Sequence, residues 1–409
     1  MSVVRRWVVM VVLGLSGGII FFLPFLRESF YKPLGEALSL NNTELGVMMS
    51  VFGFASMISY FPGGWIADRV SPRKLIASSC LATGGLGLYF ATFPGYTISI
   101  VIHACWGVLI SLLFWAAMIR VTRGWAPADQ QGRAFGILET TRGAGEVGVT
   151  YAALGVFLMF GSGEKGLVAV IVQSSLIIIV LGVAAWFVIE DSDEDDSAGS
   201  TDKIGLQQVI AVLKLPVVWL ISIVVLTAYS AYWASFYFTP YVTDVFLMTA
   251  AVAGFISAGR MSLKPLAALI AGFVGDRYGI ARSTMVLFVI LTVSFGLFSV
   301  LPASPGLFVW MLVNVAIAAI AIFALRGIYF ALLEEGGVPL AVTGTAGGVV
   351  SAIGFTPDVF MPMLGGILLD KYPGVTGYQY LYLASAGMCV VGLIAAIIIY
   401  KRYVNQAQV

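Results

Sequence analysis

Long apolar runs, separated by short polar turns, extend along the whole chain. An apolar run of about 18 or more residues is long enough to cross a bilayer as a helix. Twelve such runs are predicted, at 7–31, 44–67, 75–94, 97–121, 134–160, 166–188, 215–240, 249–274, 283–301, 306–330, 342–368 and 378–400. Because an even number of spans returns the chain to its starting side, both termini are expected on one face of the membrane.

The composition supports an all-α integral membrane protein. Hydrophobic residues make up 60% of the chain and charged residues 11%, with a mean hydropathy of +0.98, whereas soluble proteins contain about 25% charged residues. Cys80, Cys105 and Cys389 lie within apolar runs, where a thiol packs as a small hydrophobic group. They form no disulfide framework or zinc spacing, so no metal and no other cofactor is predicted.

Lysine and arginine are distributed unevenly between the two sets of loops. The loops on one side hold only Lys32, Lys165 and Lys371, whereas the termini and the opposite loops are rich in basic residues. Basic loops favour the cytoplasmic side, which predicts cytoplasmic N- and C-termini. Compact loops are typical of bacterial proteins, so we expect a multi-pass protein of the cell inner membrane. The first apolar run is longer than a signal-peptide core, which indicates a retained span.

A short charged hairpin follows the second predicted span and recurs after the eighth. The two copies run from Gly64 to Lys74 and from Gly272 to Arg282, each with an Asp-Arg pair followed by further basic residues. This pattern resembles the signature loop of the major facilitator superfamily of transporters. The first copy departs from it at Ser71, whereas the second keeps the expected glycine, Gly279. The repetition predicts two related halves.

The resemblance implies a fold of twelve transmembrane helices in two pseudo-symmetric six-helix halves, at 1–189 and 209–409. A cytoplasmic linker at 190–208 is rich in acidic and small residues, which is typical of a flexible connection; cation capture by the acidic cluster is the alternative. The resemblance also implies that the hairpins lock an inner gate. The residues assigned to gating are Asp68, Arg69, Arg73, Arg142, Asp276 and Arg277.

Charge inside a span is costly, so it usually faces a cavity or a partner. Arg27 and Glu28 lie near the outer end of the first span. The segment from Phe25 to Leu34 resembles the same region of organic-anion symporters in this superfamily, in which an arginine contacts the substrate. If the helix continues through Tyr31, Arg27 projects into a central cavity and binds an anion. Alternatively, Arg27 snorkels to the membrane interface.

Arg120 and Arg326 occupy corresponding positions in the fourth and tenth spans. The segment from Phe114 to Pro127 resembles the cytoplasmic end of the fourth span in the same symporters, where an arginine precedes Trp-x-Pro. Both arginines are therefore candidates for binding an anionic substrate. The alternative is a role in gating, in which each pairs with an acidic side chain when the inner mouth closes.

Three charges share one face of the fifth span, because Glu139, Arg142 and Glu146 lie at i, i+3 and i+7. An ion pair between Arg142 and either glutamate lowers the cost of burial and leaves one carboxylate without an obvious partner. Burial favours the neutral form of a carboxylate, so that it can exchange a proton near neutral pH. Glu146 and Glu139 are therefore candidates for proton coupling.

Three further charges lie at membrane depth in the second half. Arg260 and Lys264 are one turn apart in the eighth span, and Asp358 lies between Pro357 and Pro362 in the eleventh. A guanidinium group binds carboxylate, phosphate or sulfonate in a bidentate way, so the two cations are candidates for substrate binding. Alternatively, they pair with Asp358. The prolines predict a kinked helix, and Asp358 is a further candidate for proton coupling.

Aromatic residues cluster in the seventh span. Tyr229, Trp233 and Tyr237 share one face at i, i+4 and i+8 and are candidates to line a cavity or stack on a substrate. Some of the aromatic residues in the cluster are expected to form the interfacial belt. The only histidine, His103, is expected to be a hydrogen-bonded structural residue rather than a proton relay. The glycine-rich stretches 14–18 and 143–148 are expected to let helices pack closely.

Intramembrane arginine and lysine residues outnumber intramembrane acids, which predicts a secondary active transporter for a small organic anion. The candidate substrates are sugar acids, carboxylates, organophosphates and sulfonates, carried with protons by alternating access. Export of amphipathic compounds is the alternative within transport, and the aromatic lining favours it. The expected partners are the small-molecule substrate, protons and membrane lipid, with no nucleic acid and a monomeric state.

Other classes of function are less consistent with the sequence. An ATP-driven pump requires a phosphate-binding loop of the G-x-x-x-x-G-K-S/T type, which the chain lacks. An enzyme is not predicted, because neither a nucleophile–base pair nor a metal-ligand spacing is visible. A transporter-like sensor is expected to carry a sizeable cytoplasmic domain, and no soluble domain is predicted here.

Overall fold

The computed structural model describes residues 3–67, 69–125, 131–190, 210, 212–300, 302, 304–338 and 343–405, and these residues contain helices and turns without a β-strand. The α-helices, numbered in chain order, are α1 Val3–Ile19, α2 Arg27–Leu38, α3 Asn42–Ala67, α4 Pro72–Phe90, α5 Tyr96–Val108, α6 Ala116–Trp125, α7 Gln131–Met159, α8 Glu164–Val188, α9 Pro216–Ala234, α10 Phe238–Val245, α11 Ala250–Ser262, α12 Lys264–Tyr278, α13 Ile280–Val300, α14 Phe308–Ile328, α15 Leu332–Glu335, α16 Thr343–Gly354, α17 Pro357–Lys371 and α18 Val375–Ile399. The predicted all-α fold is therefore confirmed.

Seven helical segments of the described chain are long and apolar enough to cross a membrane. They are Tyr96–Thr122, Glu164–Val188, Pro216–Val245, Ile280–Val300, Phe308–Glu335, Ala346–Lys371 and Val375–Val404. Each coincides with a predicted span, and the chain is a multi-pass membrane protein. Helices also occupy the other five predicted ranges, but the count of twelve spans stays a prediction.

The described helices fall into two compact units. Unit 1 comprises Met1–Ser200 with Thr249–Ala258, and unit 2 comprises Thr201–Met248 with Gly259–Val409. The first predicted span of each half packs against the fifth, the second against the fourth, and the third against the sixth. These pairs are α1–α7, α3–α5 and α4–α8 in unit 1, and α9–α16, α12–α14 and α13–α18 in unit 2.

The recurrence of three pairings is what an internal repeat produces. The predicted boundaries of the two halves stay a prediction, and residues 191–208 of the predicted linker lie outside the described residues.

Helices α1 and α7 approach each other closely at glycine residues. A Cβ atom added at Gly18 would lie 2.1 Å from the backbone oxygen of Arg142, and one at Gly14 would lie 2.5 Å from the Cβ of Thr141. Small residues allow such close helix packing. The packing role predicted for the stretch 14–18 is therefore confirmed.

Two predicted spans are interrupted rather than continuous. Within 7–31, α1 ends at Ile19, a turn follows, and α2 begins at Arg27. Within 249–274, α11 ends at Ser262 and α12 begins at Lys264. Each range contains a proline, Pro24 or Pro265, which removes a backbone donor and clashes with the preceding turn. These interruptions place Arg27 and Lys264 at the first position of a helix and Arg260 in the last turn of one.

Two predicted spans of unit 2 are also broken. In the eleventh predicted span, α16 ends at Gly354 and α17 starts with Pro357 at its first position, where proline is favoured. The predicted kink is therefore confirmed. In the seventh, the 3-10 segment Ser235–Tyr237 separates α9 from α10.

Candidate functional site

Arg326 lies among tyrosine side chains in the last turn of α14. Its guanidinium carbon is 3.9 Å from the ring centre of Tyr232 and 5.4 Å from that of Tyr229, and Tyr329 is a third neighbour. Cation–π attraction stabilises a cation in this position. The side chain is half-buried, and its Nη1 atom has no hydrogen-bond acceptor among the described residues. This buried donor of Arg326 is left unsatisfied, so a ligand acceptor that reached it among the tyrosine side chains would gain a hydrogen bond.

Asp358 lies in the first turn of α17 and is held by an aromatic donor. The Nε1–H of Trp233 donates to its Oδ1 atom at 2.7 Å, and the hydroxyl of Tyr229 is directed at the same carboxylate. Trp233 is buried, whereas Asp358 is half-buried. Because an indole N–H can only donate, Trp233 orients this carboxylate. Arg326 is close enough to attract it electrostatically.

Arg260 lies in the last turn of α11 and is only 4% exposed. Its Nη1 donates to the Oγ of Ser235 at 2.8 Å, and its guanidinium carbon lies 5.4 Å from the ring centre of Phe236 and 6.0 Å from that of Phe323. Ser235 belongs to the 3-10 segment between α9 and α10. The helix break therefore supplies the hydroxyl group that positions Arg260.

These residues form one group, which we call the arginine cluster: Arg260, Arg326 and Asp358. The two guanidinium groups are close enough to repel each other electrostatically. The Asp358 carboxylate interacts with Arg326. An anion bound between the arginines relieves this repulsion and uses the donor geometry of both groups. The arrangement is suited to binding an organic anion.

The predicted aromatic face of the seventh span contacts the eleventh. Tyr229 lies 4.9 Å from the ring centre of Phe355, Trp233 donates to Asp358, and the hydroxyl of Tyr237 donates to the backbone oxygen of Pro362 at 2.7 Å. The shared face is confirmed.

Tyr237 is fully buried, and a Cβ atom at Gly365 would lie 2.2 Å from its ring. We therefore interpret Tyr237 as a packing residue that satisfies a carbonyl of the proline-containing helix, and its role in substrate binding stays untested.

Lys264 is the first residue of α12 and is half-buried. The interruption at Leu263 places it beyond the end of the helix that carries Arg260. Its predicted part in substrate binding stays a prediction.

Sequence reasoning missed several residues of this site. Ser235, Phe236 and Phe323 contact Arg260, and Tyr232 contacts Arg326. The density of aromatic residues around 229–241 was the signal that pointed towards them. In the part of the chain that the structure describes, no group of three or more His, Cys, Asp or Glu side chains could hold a metal ion.

Arg27 of unit 1 is buried, with 4% of its surface exposed. Its Nη1 donates to the backbone oxygen of Leu45 at 3.0 Å, and its guanidinium carbon lies 5.0 Å from the ring centre of Tyr31. Such burial does not fit a side chain that snorkels to the interface. Substrate binding by Arg27 stays a prediction.

His103 is also buried, and its Nδ1 atom forms a 2.8 Å hydrogen bond with the backbone oxygen of Ser99. Its ring packs edge-on against Trp106, with 5.0 Å between ring centres. The predicted hydrogen-bonded structural role is confirmed.

Arg120 and Arg142 contact backbone carbonyls of neighbouring helices. Arg120 donates to the backbone oxygen of Ala67, the last residue of α3, where a cation also interacts favourably with the helix dipole. Arg142 donates to Glu139 at 2.5 Å and to the backbone oxygen of Gly17 at 3.3 Å.

The predicted same-helix ion pair is therefore present, with a Glu139 side chain that is 60% exposed. Glu146 is half-buried. The proposed parts of Arg120 in substrate binding and of the two glutamates in proton coupling stay predictions.

The structure describes the two gating hairpins only in part. Asp68 and the side chain of Asp276 lie outside the described residues. Arg69 and Arg277 are exposed, and the guanidinium carbon of Arg73 lies 4.8 Å from the ring centre of Trp186. Their gating roles stay predictions.

The second hairpin depends on a glycine and on a glutamate that sequence reasoning missed. Gly279 has a φ of +94° and a ψ of 138°, a conformation that essentially only glycine adopts. The Oε2 of Glu335 accepts a 2.5 Å hydrogen bond from the backbone N–H of Ala281, at the start of α13. A carboxylate at a helix N-terminus is stabilising. The retained glycine thus brings α13 into reach of Glu335.

We expect Gly279→Ala to destabilise the protein by roughly 1–3 kcal/mol because of backbone strain. The new Cβ atom would also lie 3.2 Å from Oε1 of Glu335. Chemical denaturation in detergent measures the effect. Gly272→Ala is the matched control, because no atom lies within 4 Å of its added Cβ, and equal stability of the two variants would contradict the prediction.

Comparisons with known proteins agree with this architecture. The family model described as Major Facilitator Superfamily matches residues 6–355. The inner membrane protein YihN of Escherichia coli is 31% identical over 405 residues, which cover 97% of this chain and 96% of that protein. A bacterial homologue of the human lysosomal transporter Spinster, solved in an inward-facing conformation, has a TM-score of 0.81 at 13% identity and covers 98% of both chains.

A further relative matches only part of the chain. A probable hexose phosphate transport protein of Chlamydia pneumoniae is 26% identical over 168 residues, which cover 40% of this chain and 35% of that protein. The match of the family model to most of the chain, together with the all-helical fold, identifies a transport protein and not an enzyme. The chain belongs to the Major Facilitator Superfamily.

Proposed function

We propose that the protein is a secondary transporter that moves a small organic anion across the inner membrane by alternating access, coupled to protons. The observation that carries the proposal is the arginine cluster, in which Arg260 and Arg326 are both held by aromatic and hydroxyl neighbours. The partial relative described as a probable hexose phosphate transport protein supports this substrate class, because hexose phosphate is an organic anion. The name of the relative YihN supports the inner-membrane location.

In this proposal the two arginines of the cluster bind the charged group of the substrate. Asp358 balances the positive charge of Arg326 when the site is empty, and it accepts a proton in part of the transport cycle. Arg27, Arg120 and Lys264 are further candidates for contact with the substrate, and Glu146 and Glu139 for proton transfer. The termini are cytoplasmic, and the two hairpins act at the inner gate.

We expect Arg260→Ala to lower anion uptake about tenfold or more, because a buried charge-assisted hydrogen-bond donor is lost. The substrate is first selected by thermal-shift measurements on the purified protein with sugar acids, dicarboxylates, phosphates and sulfonates. Uptake of the most stabilising compound is then measured in proteoliposomes. Arg402→Ala, which changes an exposed arginine near the C-terminus, is the matched control and should transport normally.

Normal uptake by Arg260→Ala would contradict anion binding at the arginine cluster. Stabilisation by amphipathic or drug-like compounds, with none by anions, would instead support the exporter. The described aromatic rings around the arginine cluster contact guanidinium groups, which favours the anion transporter.

A further inference from the structure

Asp358 has more hydrogen-bonding capacity than its aromatic neighbours use. An ionised carboxylate can accept about four hydrogen bonds. Trp233 donates one of them at 2.7 Å, and the hydroxyl of Tyr229 is directed at the same group. Because Asp358 is half-buried, part of the carboxylate can still accept hydrogen bonds from a bound molecule.

The carboxylate is also held rigidly. Trp233 is 1% exposed and packs against Phe236, with 4.7 Å between ring centres. A carboxylate that only neutralised Arg326 would need no such anchor. A fixed and oriented acceptor is what selective recognition of hydroxyl groups requires, because a poorly directed hydrogen bond contributes little.

An apolar surface lies beside this acceptor. The rings of Tyr229 and Phe355 are 4.9 Å apart and both residues are half-buried. Binding sites for small molecules combine such apolar surface with a few fixed polar groups. The guanidinium carbon of Arg326 lies 5.4 Å from the ring centre of Tyr229, and Arg326 is close enough to attract Asp358 electrostatically, so a site for negative charge adjoins a hydroxyl acceptor.

We propose that the transported anion is a polyhydroxylated molecule, whose hydroxyl groups donate to Asp358 while its charged group binds Arg260 and Arg326. This inference rests on the proposed anion transport and adds the chemical class of the substrate. It assigns Asp358 to substrate specificity, which is separable from its proposed part in proton coupling. Sugar acids and sugar phosphates have the required combination of charge and hydroxyl groups.

Three matched pairs of ligands test the inference in binding measurements on the purified protein. Each pair shares its charged group and differs in hydroxyl groups: gluconate and hexanoate, glycerol 3-phosphate and propyl phosphate, and isethionate and ethanesulfonate. In at least one pair, the hydroxylated member is expected to bind at least about tenfold more tightly. This is the gain in affinity that one charge-assisted hydrogen bond provides. Sorbitol, which has hydroxyl groups but no charge, is expected not to bind.

The Asp358→Asn variant separates specificity from proton coupling. With the best pair, its affinity for the hydroxylated ligand should fall about tenfold, because a charged acceptor is replaced by a weaker neutral one. Its affinity for the ligand without hydroxyl groups should stay equal or rise, because a negative charge near the anion is removed. A residue that only exchanges protons would change both affinities alike. Trp233→Phe keeps an aromatic ring but removes the N–H donor. It should also reduce the preference for the hydroxylated ligand.

The possible outcomes distinguish this inference from the proposed function. Equal binding within every pair, or no binding of any of the six anions, would overturn the hydroxyl specificity. Equal binding within the pairs would leave anion transport standing. If sorbitol bound as tightly as gluconate, the anion site itself would be refuted. A parallel loss of both affinities in Asp358→Asn would also overturn the assigned role.

Discussion

Transport by the Arg326→Ala variant is expected to fall to background, which is the largest functional effect that the structure predicts. The substitution removes the guanidinium group that lies 3.9 Å from the ring centre of Tyr232 and that binds the substrate in the proposed function. It also removes the cation that attracts Asp358. The half-buried carboxylate then lacks this neighbouring cation, which is costly because its charge is uncompensated.

Two further variants separate this effect from misfolding. Arg326→Lys keeps the positive charge but loses the planar, bidentate donor geometry and the stacking, so we expect binding of the anion to weaken about tenfold. The double variant Arg326→Ala with Asp358→Asn removes both charges and should recover thermal stability without recovering transport. Wild-type uptake by Arg326→Lys, or recovery of uptake in the double variant, would contradict the assigned role of Arg326.

Substitution of Gly18 by alanine is expected to cause the largest loss of stability in unit 1. The added Cβ atom would lie 2.1 Å from the backbone oxygen of Arg142 and 2.9 Å from its carbonyl carbon. Both are backbone atoms of a packed helix, so α1 and α7 must move apart. Overpacking of this kind costs roughly 1–3 kcal/mol and occasionally more, and thermal denaturation in detergent measures it.

The matched control for Gly18 lies on the partner helix. No atom lies within 4 Å of a Cβ added at Gly148 of α7, so Gly148→Ala should be neutral or stabilise the helix by up to about 1 kcal/mol. Equal melting temperatures for the two variants would show that the close approach of α1 and α7 does not control stability. Such a result would also remove the packing explanation for the stretch 14–18.

Features that depend on local sequence were predictable. Apolar runs located the membrane spans because the thickness of a bilayer requires about 20 apolar residues in a helix. Tyr229, Trp233 and Tyr237 were placed on one face by helical periodicity, and all three contact the eleventh span, although the partner span itself was not predicted. The repeated hairpin identified the family because its charged residues are conspicuous between apolar spans.

Features that depend on helix breaks and distant contacts were not predictable. Ser235 accepts a hydrogen bond from Arg260, which lies 25 positions away in the sequence. Glu335 accepts one from the backbone N–H of Ala281, which lies 54 positions away. Each contact depends on where a helix stops. Hydropathy does not register a 3-10 segment or an interruption before a proline, so the apolar pattern showed a single run where the structure has two helices. For the same reason, the sequence left two positions open for Arg27, one in a central cavity and one at the membrane interface.

The most direct test of anion transport at the arginine cluster is flux in proteoliposomes that contain only the purified protein. The measurement is uptake of the best-binding anion, with and without an inward proton gradient, for wild type and Arg326→Ala. Wild type is expected to take up the anion saturably, to take up more with the proton gradient, and to lose uptake in the variant. Absence of flux for every anion tested, or equal flux in wild type and Arg326→Ala, would contradict the account.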